Sequence, residues 1–214
     1  MKNIISTLII LLSVAIVPLL AQERYENKTY GFSMKKPTGV WIETDHFSKL
    51  RLKHADFEFA KNNLGQFLIE NSGTDFKGYP VKSLVLVSYM EKNPDRTGYR
   101  PTMSARIILN ETKDFDELKK KVTNINSGFL KKVPEDLAFE IPPKTIDISG
   151  IKAVYYTYTF SREDMNGDKK KNRAYVCAIP NGSYYFELYF FDRPNEIDCT
   201  EIYNDVINSI KIEK

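Results

Sequence analysis

The fold of this chain is decided by residues 150–191, GIKAVYYTYTFSREDMNGDKKKNRAYVCAIPNGSYYFELYFF. Three runs rich in aromatic and β-branched residues, at 152–162, 172–179 and 183–191, are separated by Asn166-Gly167 and Asn181-Gly182. Asn-Gly between such runs is a strong hairpin signal, because both residues accept the positive φ that tight β-turns require. The stretch therefore predicts a three-stranded antiparallel meander.

Aromatic residues occupy both alternating sets of positions along this meander. Tyr156 and Tyr158 alternate with Tyr155 and Thr157, and the last run alternates in the same way. A strand that is apolar on both faces is usually covered on both faces. We therefore expect helices on each side of an antiparallel sheet.

The segments around the meander supply these helices and further strands. Residues 114–130 predict a helix, because Asp114 is a good N-cap, Glu117 completes a capping box, and apolar residues recur at helical spacing. Residues 196–210 predict a second helix with one apolar face. Runs at 81–90 and 103–109 predict paired strands, and short strands at 30–34 and 40–42 flank a Pro-Gly turn. Residues 47–62 are ambiguous and favour a helix.

The N-terminal 21 residues have the pattern of a secretory signal. Lys2 provides the positive charge, residues 4–20 are apolar and uncharged, and Ala21 is a small residue suited to cleavage. The alternative is an uncleaved membrane anchor, because an apolar run of this length is close to the lower limit for crossing a bilayer. We expect residues 22–214 to form a single exported domain, either periplasmic or secreted, that touches the membrane only if the signal is retained.

The charge balance argues against nucleic acid as a partner. The formal net charge is +3, of which Lys2 in the signal contributes one. So small a charge on a whole domain gives little long-range attraction for phosphates.

The residues that open the predicted domain carry a family resemblance. Residues 30–37, YGFSMKKP, followed by Trp41, resemble the start of PsbP-like domains, a family that includes the extrinsic protein of photosystem II and bacterial exported proteins of the DcrB type. The order of the later elements agrees with this family. The resemblance implies an α+β fold, an α/β/α sandwich whose central antiparallel sheet has about six strands. It also implies scaffold roles for Tyr30, Gly31, Phe32, Pro37 and Trp41, and an accessory or binding protein without a catalytic set or cofactor.

Catalytic motifs with fixed spacing, such as a nucleophile elbow, a zinc-binding H-E-x-x-H or a phosphate loop, do not occur in the sequence. The best metal candidates are His46, His54 and Asp56, whose nitrogen and oxygen atoms suit zinc or manganese. Their spacing matches no familiar ligand pattern, and solvated surface residues are the competing interpretation.

Three other groups of residues are candidates for function. A basic cluster at a hairpin end comprises Lys169, Lys170, Lys171 and Arg173. It would dock an acidic partner or lipid head groups, or it would simply be solvated and protect the strand edges. Cys177 and Cys199 would meet an oxidising compartment after export, where they would form a disulfide or remain buried thiols. Tyr155, Tyr185 and Tyr189 would line a binding groove or pack beneath a helix.

The leading functional hypothesis is therefore a non-catalytic exported binding or accessory protein whose partner is another envelope or secreted protein. The first alternative is a carrier of a small apolar ligand held between the sheet and a helix. The second is a metal-assisted enzyme.

Overall fold

The computed structural model describes residues 23–39, 41–43, 83–92, 99–124, 134–164 and 166–213. The predicted signal at residues 1–21, the ambiguous segment at 47–62, and His46, His54 and Asp56 lie outside these residues. The described part of the chain contains ten strands and two helices. In chain order they are β1 (Arg24–Asn27), β2 (Phe32–Lys35), β3 (Trp41–Glu43), β4 (Ser83–Glu91), β5 (Thr102–Leu109), α1 (Phe115–Thr123), β6 (Ala138–Ile148), β7 (Ile151–Glu163), β8 (Lys169–Asn181), β9 (Tyr184–Asp192), α2 (Thr200–Asn208) and β10 (Lys211–Ile212).

The predicted meander is the centre of the larger sheet. Strands β7, β8 and β9 pair antiparallel in sequence order, and β5 and β4 continue the sheet beyond β9 as the predicted strand pair. The complete order is β3-β4-β5-β9-β8-β7-β6. The sheet has seven described strands, and the expected number of about six was therefore too small.

Most of β6 was not predicted from the sequence, and neither were the short strands β1 and β10. Strand β6 contains Pro142 and Pro143, and proline cannot donate a hydrogen bond to a neighbouring strand. Among the described strands, β6 lies at the end of the sheet and pairs only with β7. Its register shifts between Phe139 and Ile141 and again between Ile141 and Lys144. An edge position with two irregularities accommodates residues that would disrupt a central strand.

One face of the large sheet carries α2 and a small sheet. The small sheet has the order β1-β2-β10, so the predicted strands β2 and β3 lie in different sheets. Phe32 of β2 packs on Phe186, with ring centroids 4.9 Å apart, and Tyr203 of α2 packs on Phe190 at 4.8 Å. The resulting core includes residues from both sheets and from α2.

The other face of the large sheet is covered by α1. Leu118 of α1 is fully buried among residues of β7, β8 and β9, and the Tyr156 hydroxyl donates a hydrogen bond to the carbonyl of Val122 at 2.6 Å. Asp114 caps the helix as predicted, since its side chain accepts from the backbone N–H of Glu117. The expected helices therefore lie on both faces, and the small sheet is an additional part of one layer.

Both helices are shorter than predicted. Helix α1 ends at Thr123, followed by Asn124 as the C-cap, and residues 125–133 lie outside the described part. Residues 194–196 form a turn, so α2 begins at Thr200 and not at Glu196. Apolar spacing marks the buried face of a helix but does not fix its ends, which depend on caps and turns.

The residues of the family resemblance take scaffold positions. Tyr30 and Phe32 are buried, and Trp41 is partly buried with its ring 6.2 Å from that of Tyr203. Gly31 has a φ of +60°, which favours glycine. None of the helices in the described residues is both long and apolar enough to cross a membrane.

Candidate functional site

A cavity of about 330 Å³ opens on the α2 face of the large sheet. Strands β6, β7 and β8 form its floor, and the first turns of α2 form one wall. Its lining residues are Glu140, Ile141, Lys144, Tyr155, Arg173, Tyr175, Thr200 and Asn204. The site therefore lies where the carrier hypothesis expected a ligand, between the sheet and a helix, but several of its lining groups are charged or polar.

Arg173 is the most buried of the charged residues that line the cavity. Its side chain is 7% exposed and that of Asp192 is fully buried. Nε of Arg173 donates to Oδ1 of Asp192 at 3.0 Å, and Nη2 donates to Oδ2 at 2.7 Å. Nη2 also lies 2.6 Å from Oδ1 of Asp198. Burial opposes the charge, but these hydrogen bonds raise the pKa of Arg173 above its usual range, so the guanidinium stays charged and fixed.

The third nitrogen of this guanidinium, Nη1, is differently placed. Its nearest described carboxylate is that of Glu140, at 3.7 Å, which is longer than a hydrogen bond. Within the described part of the chain, Nη1 has no hydrogen-bond acceptor. The guanidinium carbon lies 4.9 Å from the centre of the Tyr175 ring, and this contact helps to fix its plane. Nη1 therefore offers two N–H donors at the cavity.

The remaining polar groups of the cavity come from β6, β7 and α2. Nζ of the exposed Lys144 lies 5.3 Å from the centre of the Tyr155 ring and has no ion pair among the described residues. Burial raises the pKa of Tyr155 to about 12. The Tyr175 hydroxyl is 2.6 Å from that of Thr200. Asn204 is exposed one turn further along α2.

The opposite face of the sheet holds a second buried ion pair. Arg106 and Glu187 lie opposite each other on β5 and β9 and are hydrogen-bonded, with Nε of Arg106 2.7 Å from Oε1 of Glu187. The hydroxyls of Tyr158 and Tyr189 are 3.0 Å apart beside this pair. Tyr185 and Tyr189 pack in the α1 core, whereas Tyr155 packs in the α2 core. The three tyrosines therefore do not line one groove, because strand alternation sends Tyr155 to the other face. Packing beneath a helix, the other interpretation of these residues, is confirmed for Tyr185 and Tyr189.

Only part of the predicted basic cluster is exposed to solvent. Lys169 and Lys171 are exposed, and Lys170 pairs with Asp168 at 3.4 Å. Arg173, in contrast, is buried in the ion pair described above. Its inclusion in a solvent-exposed cluster was wrong, because the same strand passes from its exposed end into the covered part of the sheet.

The remaining candidates from the sequence are the two cysteines and the metal-binding residues. Cys177 and Cys199 are both buried and free, and burial raises the pKa of each thiol to about 12. His46, His54 and Asp56 lie outside the described residues, so the metal site stays a prediction. In the part of the chain that the structure describes, no group of three or more His, Cys, Asp or Glu residues is arranged to hold a metal ion.

Comparison with known proteins gives structural likenesses only. No family model matches the chain, and no curated protein sequence matches it. The cyanobacterial PsbP of Synechocystis is 15% identical, with a TM-score of 0.48, and the match covers 92% of this chain and 96% of that one. LpqN of Mycobacterium tuberculosis, described as involved in cell envelope biogenesis, is 15% identical with a TM-score of 0.40, over 63% of this chain and 80% of that one.

A crystal structure from Bacteroides thetaiotaomicron is 14% identical with a TM-score of 0.44. The match covers 91% of this chain, which spans half the length of that protein. Likenesses of this degree assign no function.

Proposed function

We propose that this protein is an exported, non-catalytic binding or accessory protein whose partner is another envelope or secreted protein. Its support comes from the chemistry of the described residues. The proposal assumes that the signal pattern of residues 1–21 directs export.

The observation that carries the proposal is the direction in which the pKa values of the reactive groups are shifted. A general acid or base works best when its pKa is near the working pH. Here the pKa values of Cys177, Cys199 and Tyr155 are raised to about 12, and the pKa of Asp198 is lowered to about 2, chiefly by its hydrogen bond with Thr200. At their ordinary pKa values these groups already keep one protonation state at neutral pH, and the shifts move each pKa further from that pH, as suits a structural or binding role.

The exposed end of the β7–β8 hairpin is the surface that we assign to the partner. Lys169 and Lys171 are exposed there, and a loop of five residues, 164–168, joins the two strands. Exposed lysines at the end of a hairpin attract an acidic surface and speed its association. An acidic protein surface therefore suits this end of the molecule.

Crosslinking in the exporting cell at native expression tests this proposal. We expect a defined crosslinked species that is lost when Lys169 and Lys171 are both changed to glutamate. Lys152→Glu and Lys113→Glu are matched controls, since both lysines are exposed away from the hairpin end. Recovery of the protein alone, or a species that survives the double change, would contradict the proposal.

A carrier role is the second candidate, because the cavity between the sheet and α2 has about the volume that a small ligand needs. The lining includes Glu140, Lys144 and Arg173, so a polar ligand suits it better than the apolar one first considered. The metal-assisted alternative rests on His46 and His54. It predicts that changing both to alanine lowers the metal content of the purified protein.

A further inference from the structure

We infer that the cavity between β6, β8 and α2 binds a small zwitterion of the amino-acid type, with a carboxylate at Arg173 and an ammonium group at Glu140. This inference develops the carrier alternative and is independent of the protein partner proposed above. It rests on the free donors of a buried guanidinium, on the balance of charge around the cavity and on the shape of its walls.

The carboxylate position follows from Arg173. Asp192 and Asp198 hold Nε and Nη2, so the orientation of the guanidinium is already fixed before any ligand arrives. Nη1 retains its two donors, and its nearest described acceptor is too distant to bond. A buried, fixed and charged donor forms strong hydrogen bonds with a carboxylate, since little entropy is lost in making them. Lys144, on the rim, adds a mobile positive charge.

The ammonium position follows from the charge balance. The described charged groups at the cavity and its buried pair are two cations, Arg173 and Lys144, and three carboxylates, those of Glu140, Asp192 and Asp198. A simple anion would add to this negative excess. A zwitterion has no net charge and does not add to this excess, and its positive end has a partner in Glu140, the carboxylate at the rim that is not used in a hydrogen bond to Arg173.

The uncharged part of the ligand would contact the aromatic walls. Tyr155 and Tyr175 form part of the lining with Ile141. The volume of about 330 Å³ lies at the lower end of the range for small-molecule sites, so it suits a single amino acid better than a lipid or a long peptide.

Binding to the purified protein tests the inference. A panel of the twenty standard L-amino acids would be screened by thermal shift, and the best binder would be titrated by calorimetry. We expect at least one to bind, and we expect its analogues without the ammonium group or without the carboxylate to bind at least about tenfold more weakly. If no amino acid binds, or if the analogue without the ammonium group binds equally well, the inference is wrong.

Substitutions at the rim test whether the amino acid binds in this cavity. We expect Lys144→Ala and Glu140→Gln each to weaken binding of the same amino acid about tenfold, with an unchanged thermal midpoint for the free protein. Lys152→Ala and Glu26→Gln are the matched controls, since both side chains are exposed elsewhere on the surface. Equal affinity of the rim variants and the controls would overturn the assignment. Because these measurements use no protein partner, they do not bear on the proposed accessory role.

Discussion

Arg173 and Asp192 form a buried ion pair on the face of the large sheet that α2 covers. Asp192→Ala would leave the guanidinium buried with Asp198 and Glu140, whose side chains are partly exposed. Removing one partner of a buried pair costs about 3–5 kcal/mol, because the remaining charge is poorly solvated. We expect a loss of this size in the free energy of unfolding, measured by urea denaturation.

A surface pair provides the contrast for this measurement. Glu23 and Lys36 are 2.6 Å apart, but the Glu23 side chain is 78% exposed. Glu23→Ala should leave the urea midpoint nearly unchanged, since exposed ion pairs contribute little to stability. An equal effect of the two substitutions would show that burial does not decide the importance of the Arg173 pair.

Gly31 is a second residue at which the backbone allows little substitution. Its φ is +60°, and an added Cβ would lie 2.7 Å from the carbonyl oxygen of Glu213. The Gly31 carbonyl also accepts a hydrogen bond from the N–H of Glu213 at 2.8 Å. Gly31→Ala should therefore lower the free energy of unfolding by about 2–3 kcal/mol, from left-handed strain and a displaced strand β10.

Gly167 is the matched control for Gly31, since it has a φ of +83° but no heavy atom within 4 Å of an added Cβ. Gly167→Ala should cost only about 1 kcal/mol, the strain alone. The difference between the two variants in urea denaturation measures the steric contribution. Equal losses would mean that the contact with Glu213 relaxes freely.

The cavity residues were only partly predictable from the sequence. Arg173 was assigned to a solvent-exposed basic cluster because it follows three lysines. Counting residue pairs back from the turn at Gly182 and Ser183 would have placed it opposite Asp192, as the structure does. Glu140, Lys144 and Asn204 gave no comparable signal, because an irregular edge strand and a separate helix bring them together.

Among the elements, helix α1 has the clearest local signal. The Asp114 carboxylate accepts the Glu117 N–H at 2.8 Å, and the Glu117 carboxylate accepts the Lys113 N–H at 2.7 Å. Asp114→Ala should lower the free energy of unfolding by about 1 kcal/mol. Asp114→Asn should retain most of this stability, because asparagine caps a helix nearly as well as aspartate.

Asp116 provides the control for this prediction. It lies in the first turn of α1 and interacts with the helix dipole without acting as the cap. Asp116→Ala should therefore cost only about 0.3–1 kcal/mol. If the alanine variants at 114 and 116 lose the same stability in chemical denaturation, the capping hydrogen bond has no separate role.

The elements that were predicted correctly are those with local signals. Strands β7, β8 and β9 followed from two Asn-Gly turns, and the start of α1 followed from its cap. The small sheet was not predicted, because β1 and β10 are short and β10 pairs with β2 across most of the chain. Strand β6 was missed because Pro142 and Pro143 are unfavourable in a strand, and only its edge position explains them.

At the scale of the whole molecule, the most general prediction concerns alkaline pH. Burial raises the pKa of Cys177 from 9 to about 12 and that of Tyr155 from 10 to about 12, and it raises the pKa of several other tyrosines as well. Above about pH 9 the unfolded chain releases protons that the folded chain retains, so the free energy of unfolding falls as the pH rises toward 12.

One pH series can test this prediction by two measurements. Circular dichroism would report folding, and phenolate absorbance would report tyrosine ionisation. We expect most of the phenolate absorbance to appear together with loss of the folded signal, because the buried hydroxyls ionise only on unfolding. A large phenolate signal well below the unfolding pH would contradict the burial of these tyrosines.

The two prolines of β6 have a consequence for assembly. A free strand edge can recruit the same edge of another molecule, and successive additions of this kind produce aggregates. Pro142 and Pro143 remove two amide hydrogens from one end of the seven-stranded sheet, and the local register shifts bend the same strand. Because successive residues of a strand direct their amides to opposite sides, a polymer that started at this edge would lack a hydrogen-bond donor among its first rungs. The strand that carries part of the rim of the cavity is therefore a poor template for pairing with another chain.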